Sequence, residues 1–139
     1  MRWTLIILCV LAFSFKKKDN ANLYLEVKGI EKIQGNIMVA VYSNSENFPK
    51  TEKSFKNYSF NVDAKVMTLK LDGLHEGKPC AIAVYHDENG NQKLDENMFG
   101  MPTEKYGFSN NARETFSAPS FESAKVVVKD NKKTTIEIY

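Results

Sequence analysis

Alternation of apolar and polar residues dominates the chain after residue 22. Period-two patterns recur, whereas helical spacing sustained over ten or more residues is hard to find. Because successive side chains of a β-strand point to opposite faces, this pattern predicts an all-β protein. Seven short strands, separated by Gly, Asn, Asp or Pro, predict a single antiparallel β-sandwich of immunoglobulin-like or prealbumin-like type. The predicted strands are 23–28, 35–42, 58–62, 66–71, 80–86, 124–128 and 134–139.

Three segments give more detail about burial and pairing. In strand 66–71 every second residue from Met67 onward is apolar, so this set is expected to face the core. Strand 80–86 is apolar on both faces, which is typical of a central strand. The segment 129–135, with the sequence KDNKKTT, has the composition of a turn, so the last two strands are expected to pair as a hairpin.

Two polar stretches interrupt the strand pattern. Residues 44–57 contain two phenylalanines and predict a loop with one short helical turn. Residues 87–123 form a much longer connection. A loop of this length in a small sandwich usually carries function, so a functional site is expected there.

The N-terminus has the residue order of a secretory signal. Arg2 precedes a continuous apolar run, residues 5–13, that is too short to span a bilayer as a helix. We therefore predict a signal peptide and short polar linker over residues 1–21, and a β-sandwich domain over 22–139. The protein is expected to be exported, as a periplasmic or secreted protein with no membrane span after signal removal. A buried N-terminal strand is the alternative.

Charge and cysteine content narrow the class of partner. The whole chain has a formal charge of +2, but residues 1–21 hold five basic or acidic groups, four of them positive. The remainder has 15 basic and 16 acidic residues, a formal charge of −1. No basic stripe remains, so a nucleic-acid partner is not expected. Cys80 alone remains after processing, which excludes an internal disulfide.

The start of the long connection, DENGNQKLD, predicts a calcium site. Hard oxygen ligands at alternate positions of an extended loop can converge on one cation. Asp87, Asn89, Asn91 and Asp95 occupy the first, third, fifth and ninth positions of such a loop, and Lys93 at the seventh would contribute its backbone carbonyl. This spacing resembles the calcium loops of EF-hands and dockerins.

The loop departs from that pattern at two positions. Gln92 stands where EF-hands have Gly, and Met98 stands where a bidentate acid would close the shell. The candidates to complete the shell are Glu88, Glu96, Glu104 and a bidentate Asp95. Two other interpretations remain open. Asx side chains could simply cap a tight turn, or the loop carboxylates, Asp87 with Asp95 or Glu96, could act as the acid and base of a hydrolase.

Residues 106–121 contain aromatic and amide side chains. Such side chains are typical of a site that binds a glycan or protein, so this segment predicts a binding site for a cell-envelope glycan or protein. The alternative is that these aromatics close the open end of the sandwich. The residues predicted to form this ligand surface are Tyr106, Phe108, Asn110, Asn111 and Arg113.

No further catalytic signature is found. His75 and His86 have no cysteine partner nearby, so a zinc site is not expected. Cys80 has no evident base beside it and is interpreted as a small core residue. The protein is therefore predicted to be non-enzymatic.

Four blocks of the long connection resemble a bacterial family of small exported proteins known only as a domain of unknown function. They are Val84–Asp95, Phe99–Pro102, Tyr106–Ala112 and Pro119–Phe121. The resemblance extends over roughly residues 23–139. It implies a periplasmic or secreted β-sandwich and supplies no catalytic residues. This chain departs from the family pattern at Gln92, where Gly is usual, and the substitution is costly if that backbone requires a positive φ.

Overall fold

The computed structural model describes residues 19–139, which form two packed β-sheets. The all-β prediction is confirmed. Strands occupy most of the regular structure, and the helical segments are single turns at Thr51–Lys53, Ser109–Asn111 and Phe121–Ala124 (α1). In chain order the strands are β1 (Asn20–Lys28), β2 (Asn36–Tyr42), β3 (Lys56–Asn61), β4 (Met67–His75), β5 (Pro79–Asp87), β6 (Tyr106–Phe108), β7 (Val126–Val127) and β8 (Lys133–Glu137).

The two sheets have three and five strands. The smaller sheet has the order β4-β1-β8, and the larger has the order β3-β2-β5-β6, with β7 also pairing with β5. Neighbouring strands are antiparallel except β1 and β8, which are parallel. The predicted signal peptide lies almost wholly outside the described residues.

The predicted pairing of the last two strands is wrong. β7 pairs with β5 and β8 pairs with β1, so the two strands belong to different sheets. A turn does separate the two strands, but it is hydrogen-bonded to β1. Asn131 donates its backbone N–H to the carbonyl of Asn22 at 2.8 Å, and the backbone N–H of Asn22 donates to Asp130 Oδ1 at 2.8 Å. Turn composition does not determine whether a chain doubles back or crosses to the opposite sheet.

The main core lies between the sheets and follows the predicted alternation. Met67, Leu69 and Leu71 of β4 are buried, as predicted from their spacing. They pack with the inward residues of β1 and β2, of which Leu25 and Ile37 are fully buried. Because a one-residue shift of register would expose every one of these side chains, the core itself fixes the pairing of the strands.

Strand β5 is central, as its two apolar faces predicted, because it has β2 on one side and β6 on the other. Its inward residues, including Cys80 and Ile82, belong to the main core. Its outward residue Ala81 belongs to a second apolar cluster, which has Phe48 at its centre. The ring of Phe48 makes edge-to-face contacts with Tyr42, Phe108 and Phe121.

Strand β6 is the strand that the sequence patterns missed. It has only three residues and includes Gly107, so it gives almost no periodic signal. Its position explains the glycine: a Cβ at Gly107 would lie 2.8 Å from Ile136 Cγ2 and 3.0 Å from the carbonyl oxygen of Glu137. The strand thus runs close to β8 where the two sheets approach.

Within residues 19–139 no helix has the length and apolar character needed to cross a membrane.

Candidate functional site

Asp87 anchors the acidic loop at the end of β5. Its side chain is fully buried, and its carboxylate accepts three backbone hydrogen bonds from the loop that follows. Oδ1 accepts from Gly90 at 2.9 Å and from Asn91 at 3.1 Å, and Oδ2 accepts from Gln92 at 2.8 Å. Three N–H donors compensate for burial of the carboxylate, so this residue holds the chain in a tight turn.

Asp95 closes the loop against two asparagines. Asn89 Nδ2 donates to Asp95 Oδ2 at 2.5 Å, and Asn91 Nδ2 donates to Asp95 Oδ1 at 2.8 Å. The amide oxygens face inward along the backbone: Asn89 Oδ1 accepts from the N–H of Asn91 at 3.0 Å, and Asn91 Oδ1 from that of Lys93 at 2.9 Å. The fold therefore brings the side chains of Asn89, Asn91 and Asp95 into contact, with partially positive amide groups beside the Asp95 carboxylate.

Glu104 joins the two ends of the loop through backbone hydrogen bonds to its carboxylate. Its Oε1 accepts the N–H of Glu88 at 2.9 Å, and its Oε2 accepts that of Asp95 at 3.1 Å. Of the additional ligands considered from the sequence, Glu104 is thus attached to the loop, whereas the Glu88 side chain forms an ion pair with Lys32 at 2.6 Å and Glu96 is exposed. Among residues 19–139, no group of three or more His, Cys, Asp or Glu is arranged to hold a metal.

The backbone of the loop requires a left-handed conformation at Gln92. Its φ is +63°, and that of Gly90 is +75°. A side chain at such a φ is strained, which is the cost expected at Gln92 if its backbone required a positive φ. The hydrogen bonds of Asp87 and Asn89 are also those of the tight, self-capped turn considered as an alternative to a metal site.

A groove of about 650 Å³ lies beside the loop on the outer face of the larger sheet. Ala40 of β2 and Ala83 of β5 are paired in register and form its floor, and Phe108 of β6 is the next residue across. Three loop segments surround the floor: the β2–β3 connection at Pro49 and Thr51, the acidic loop and its continuation over residues 92–102, and residues 114–118. The volume is in the range of pockets that hold small ligands.

Tyrosines form much of the groove wall. The hydroxyl of Tyr42 donates to the carbonyl of Pro49 at 3.1 Å, which ties the β2–β3 connection to the sheet. Burial, with a smaller contribution from the nearby carboxylates of Asp87, Glu104 and Asp95, raises the pKa of Tyr85 to about 12. The Tyr85 phenol is therefore neutral at physiological pH, with a hydroxyl that can both donate and accept hydrogen bonds.

The residues predicted to form a ligand surface separate into two groups. Tyr106 and Phe108 line the groove. The other three contribute to the fold instead: Asn110 Nδ2 donates to the carbonyls of Ser123 and Lys125, Asn111 Oδ1 accepts from the N–H of Glu137, and the guanidinium of Arg113 lies 3.5 Å from the centre of the Tyr139 ring. The structure does not bring Asn110, Asn111 or Arg113 to the groove.

Several residues that line the groove were not predicted from the sequence as site residues. Ala40, Ala83 and Tyr85 lie on the outward face of β2 and β5, and the sequence patterns assigned none of them to a site. The available signal was the apolar character of both faces of 80–86, which predicted a central strand but no site on its outer face. Phe116 is almost fully exposed at the rim of the groove, and no local pattern distinguishes it from a loop residue.

Cys80 and the histidines lie apart from the groove. Burial raises the pKa of the Cys80 thiol to about 11, and this residue belongs to the main core, as predicted. His86 is fully buried, and its Nε2 lies 2.8 Å from the carbonyl of Gln34, so Nε2 carries the proton. Its Nδ1 has no hydrogen-bond partner among residues 19–139. His75 packs against the ring of Phe55.

Fold and site together define a small β-sandwich with an acidic loop at the end of its central strand and an aromatic groove across one sheet. The chain belongs to the family described as "Uncharacterized protein conserved in bacteria (DUF2141)", whose model matches residues 25–137. No curated protein and no solved structure matches this chain.

Proposed function

We propose that this protein is an exported, non-enzymatic binding module of the bacterial cell envelope, and that the groove over Ala40 and Ala83 holds its ligand. The observation that carries this proposal is the groove itself. A floor of two alanines between aromatic walls leaves an open space on a sheet face that bulkier residues would otherwise fill. The apolar run behind Arg2 supports export.

The hydrogen bonding of the loop carboxylates supports a binding role over hydrolysis. An acid or base in catalysis must reach the substrate with a free oxygen. Both carboxylate oxygens of Asp87 accept backbone N–H groups, and both of Asp95 accept side-chain amides. These two carboxylates maintain the loop that borders the groove.

Filling the groove tests the proposal. Ala40→Trp places an indole on the groove floor and is expected to abolish retention of cell-envelope material by the immobilised protein, with the melting temperature preserved. Ser59→Trp, on the exposed outer face of edge strand β3, is the matched control and is expected to retain it. Equal retention by both variants would contradict the groove as the binding site.

We also propose that the acidic loop is stabilised by calcium. The oxygens of Asp87, Asn89, Asn91 and Asp95 are hard ligands held within one turn, and the Lys93 carbonyl is available at the seventh position. A divalent cation could take over from the amide hydrogens beside Asp95. It would also offset the repulsion among the carboxylates crowded into residues 87–96.

A calcium titration of metal-stripped protein tests this second proposal. Ligand at a hundred times its dissociation constant stabilises the folded state by about 2.7 kcal/mol, so the melting temperature should rise with calcium concentration. Asp95→Asn should weaken the response, while Asp63→Asn, at an exposed site in the β3–β4 connection, should not. A melting temperature that is constant from micromolar to millimolar calcium would contradict the proposal.

A further inference from the structure

The floor of the groove offers side-chain contacts, because the sheet backbone beneath it is already paired. This floor belongs to β2 and β5, and both are interior strands of the larger sheet. An extended peptide that binds by adding a strand needs an unpaired sheet edge. The edge strand beside the groove is β6, and there Tyr106 already exchanges backbone hydrogen bonds with Tyr139 at 3.3 and 3.0 Å. Recognition of a peptide by strand addition is therefore not what this surface provides.

The polar groups around the groove include both donors and acceptors. Lys93 and Gln92 supply N–H donors, Glu96 and Glu114 supply carboxylate acceptors, and the Tyr85 hydroxyl can act as either. An acyl chain in the same space would remove water from these charged groups without replacing their hydrogen bonds, at a substantial cost. Charges of both signs also favour an uncharged ligand over a strongly anionic or cationic one. Hydroxyl groups, which donate and accept, match such a rim.

Phe116 provides a stacking surface beside these polar groups. The residue is 99% exposed and lines the groove. An exposed aromatic ring contributes nothing to the core, but its face can pack against the C–H face of a flat, partly apolar ring. Tyr85 and Tyr106 present further aromatic surface along the wall.

We infer that the groove binds an uncharged oligosaccharide, with sugar rings against Phe116 and the wall tyrosines and with sugar hydroxyls bonded to Lys93 and Glu96. This inference rests on the proposed function and narrows its ligand from an envelope component to a neutral glycan. The groove volume accommodates more than one sugar ring.

The test compares the wild-type protein and three variants on an array of immobilised oligosaccharides and on a matched array of extended peptides. Wild type is expected to bind glycans. Phe116→Ala is expected to lose binding about tenfold or more with an unchanged melting temperature, because the removed ring makes no core contact. Val66→Ala, at another exposed apolar residue outside the groove, is the control and should bind as wild type does. Ala40→Trp should abolish binding.

The outcomes separate the inference from the proposed function. Binding to peptides alone, lost in Ala40→Trp, would overturn the glycan inference and leave a groove-binding module. Glycan binding that survives both Phe116→Ala and Ala40→Trp would place the glycan elsewhere and overturn the inference. Binding to neither array would overturn the inference, and equal retention of envelope material by Ala40→Trp and Ser59→Trp would separately overturn the groove's role.

Discussion

Gln92 donates its backbone N–H to Asp87 Oδ2 at 2.8 Å from a left-handed conformation with φ of +63°. The buried carboxylate thus requires a backbone geometry that an L side chain adopts at a cost. A glycine would reach the same hydrogen bond without that strain. The loop keeps its shape because Asp87 and Glu104 together accept five backbone hydrogen bonds from it.

Gln92→Gly is expected to stabilise the protein by about 0.5–1 kcal/mol. Relief of the left-handed strain outweighs the greater flexibility that glycine gives the unfolded chain. Urea unfolding measures the difference. Gln92→Ala keeps the Cβ and the strain, so its stability should remain close to wild type. A destabilised glycine variant would contradict this account of the loop.

Asp87→Asn is expected to destabilise the protein by about 2–4 kcal/mol. The Asn side chain has one oxygen and one NH₂ group. In either orientation the NH₂ group would face a backbone N–H, that of Gln92 or those of Gly90 and Asn91, so a donor would meet a donor in a buried site. Chemical denaturation of Asp87→Asn beside Asp63→Asn, whose side chain is exposed, checks the value. Equal stabilities for the two variants would show that the three hydrogen bonds contribute little.

Ser109→Ala is expected to cost about 2–4 kcal/mol of folding stability. Its buried hydroxyl accepts the N–H of Ile82 at 2.9 Å and donates to the carbonyl of Ala124, joining β5 to α1. Alanine would leave both backbone groups buried without a partner. Ser59→Ala, on the exposed face of β3, should change stability by less than about 0.5 kcal/mol. Thermal and urea unfolding of both variants give the comparison.

Tyr85 should make stability decline at alkaline pH. Its folded-state pKa is raised to about 12 from an ordinary value near 10, so the neutral phenol is favoured by folding. The stabilisation is complete below pH 10 and is lost as the pH rises toward 12, because only the unfolded chain ionises there. Tyr85→Phe should flatten this part of the stability profile. An identical alkaline decline in the variant would show that other groups cause it.

Cys80 should be unreactive in the folded protein. Burial raises its pKa to about 11, so the reactive thiolate is scarce and reagents cannot reach the sulfur. Mass spectrometry of the peptide containing Cys80 should find no label after treatment of native protein and full label after unfolding in urea. Rapid native labelling would indicate that the Pro79 end of β5 opens readily.

The strand pattern determined the sheet content because burial on one face imposes a period of two. Met67, Leu69 and Leu71 were placed in the core by their spacing alone, and the apolar faces of 80–86 identified the central strand. The crossing of β7 and β8 to different sheets was not predicted, because a turn such as 129–135 constrains only a few dihedral angles and not the direction of the next strand.

The acidic loop was recognisable because its residues are close in sequence: Asp87 and Asn91 meet across one turn, and their spacing is visible in the letters. The groove was not recognisable from the sequence, because Ala40 and Ala83 are separated by more than forty residues and become neighbours only through the register of β2 and β5. The sequence by itself determined an all-β chain and a carboxylate-anchored loop, since local spacing governs both. Only the tertiary structure decided which residues share the groove, because that depends on which strands pair and in what register.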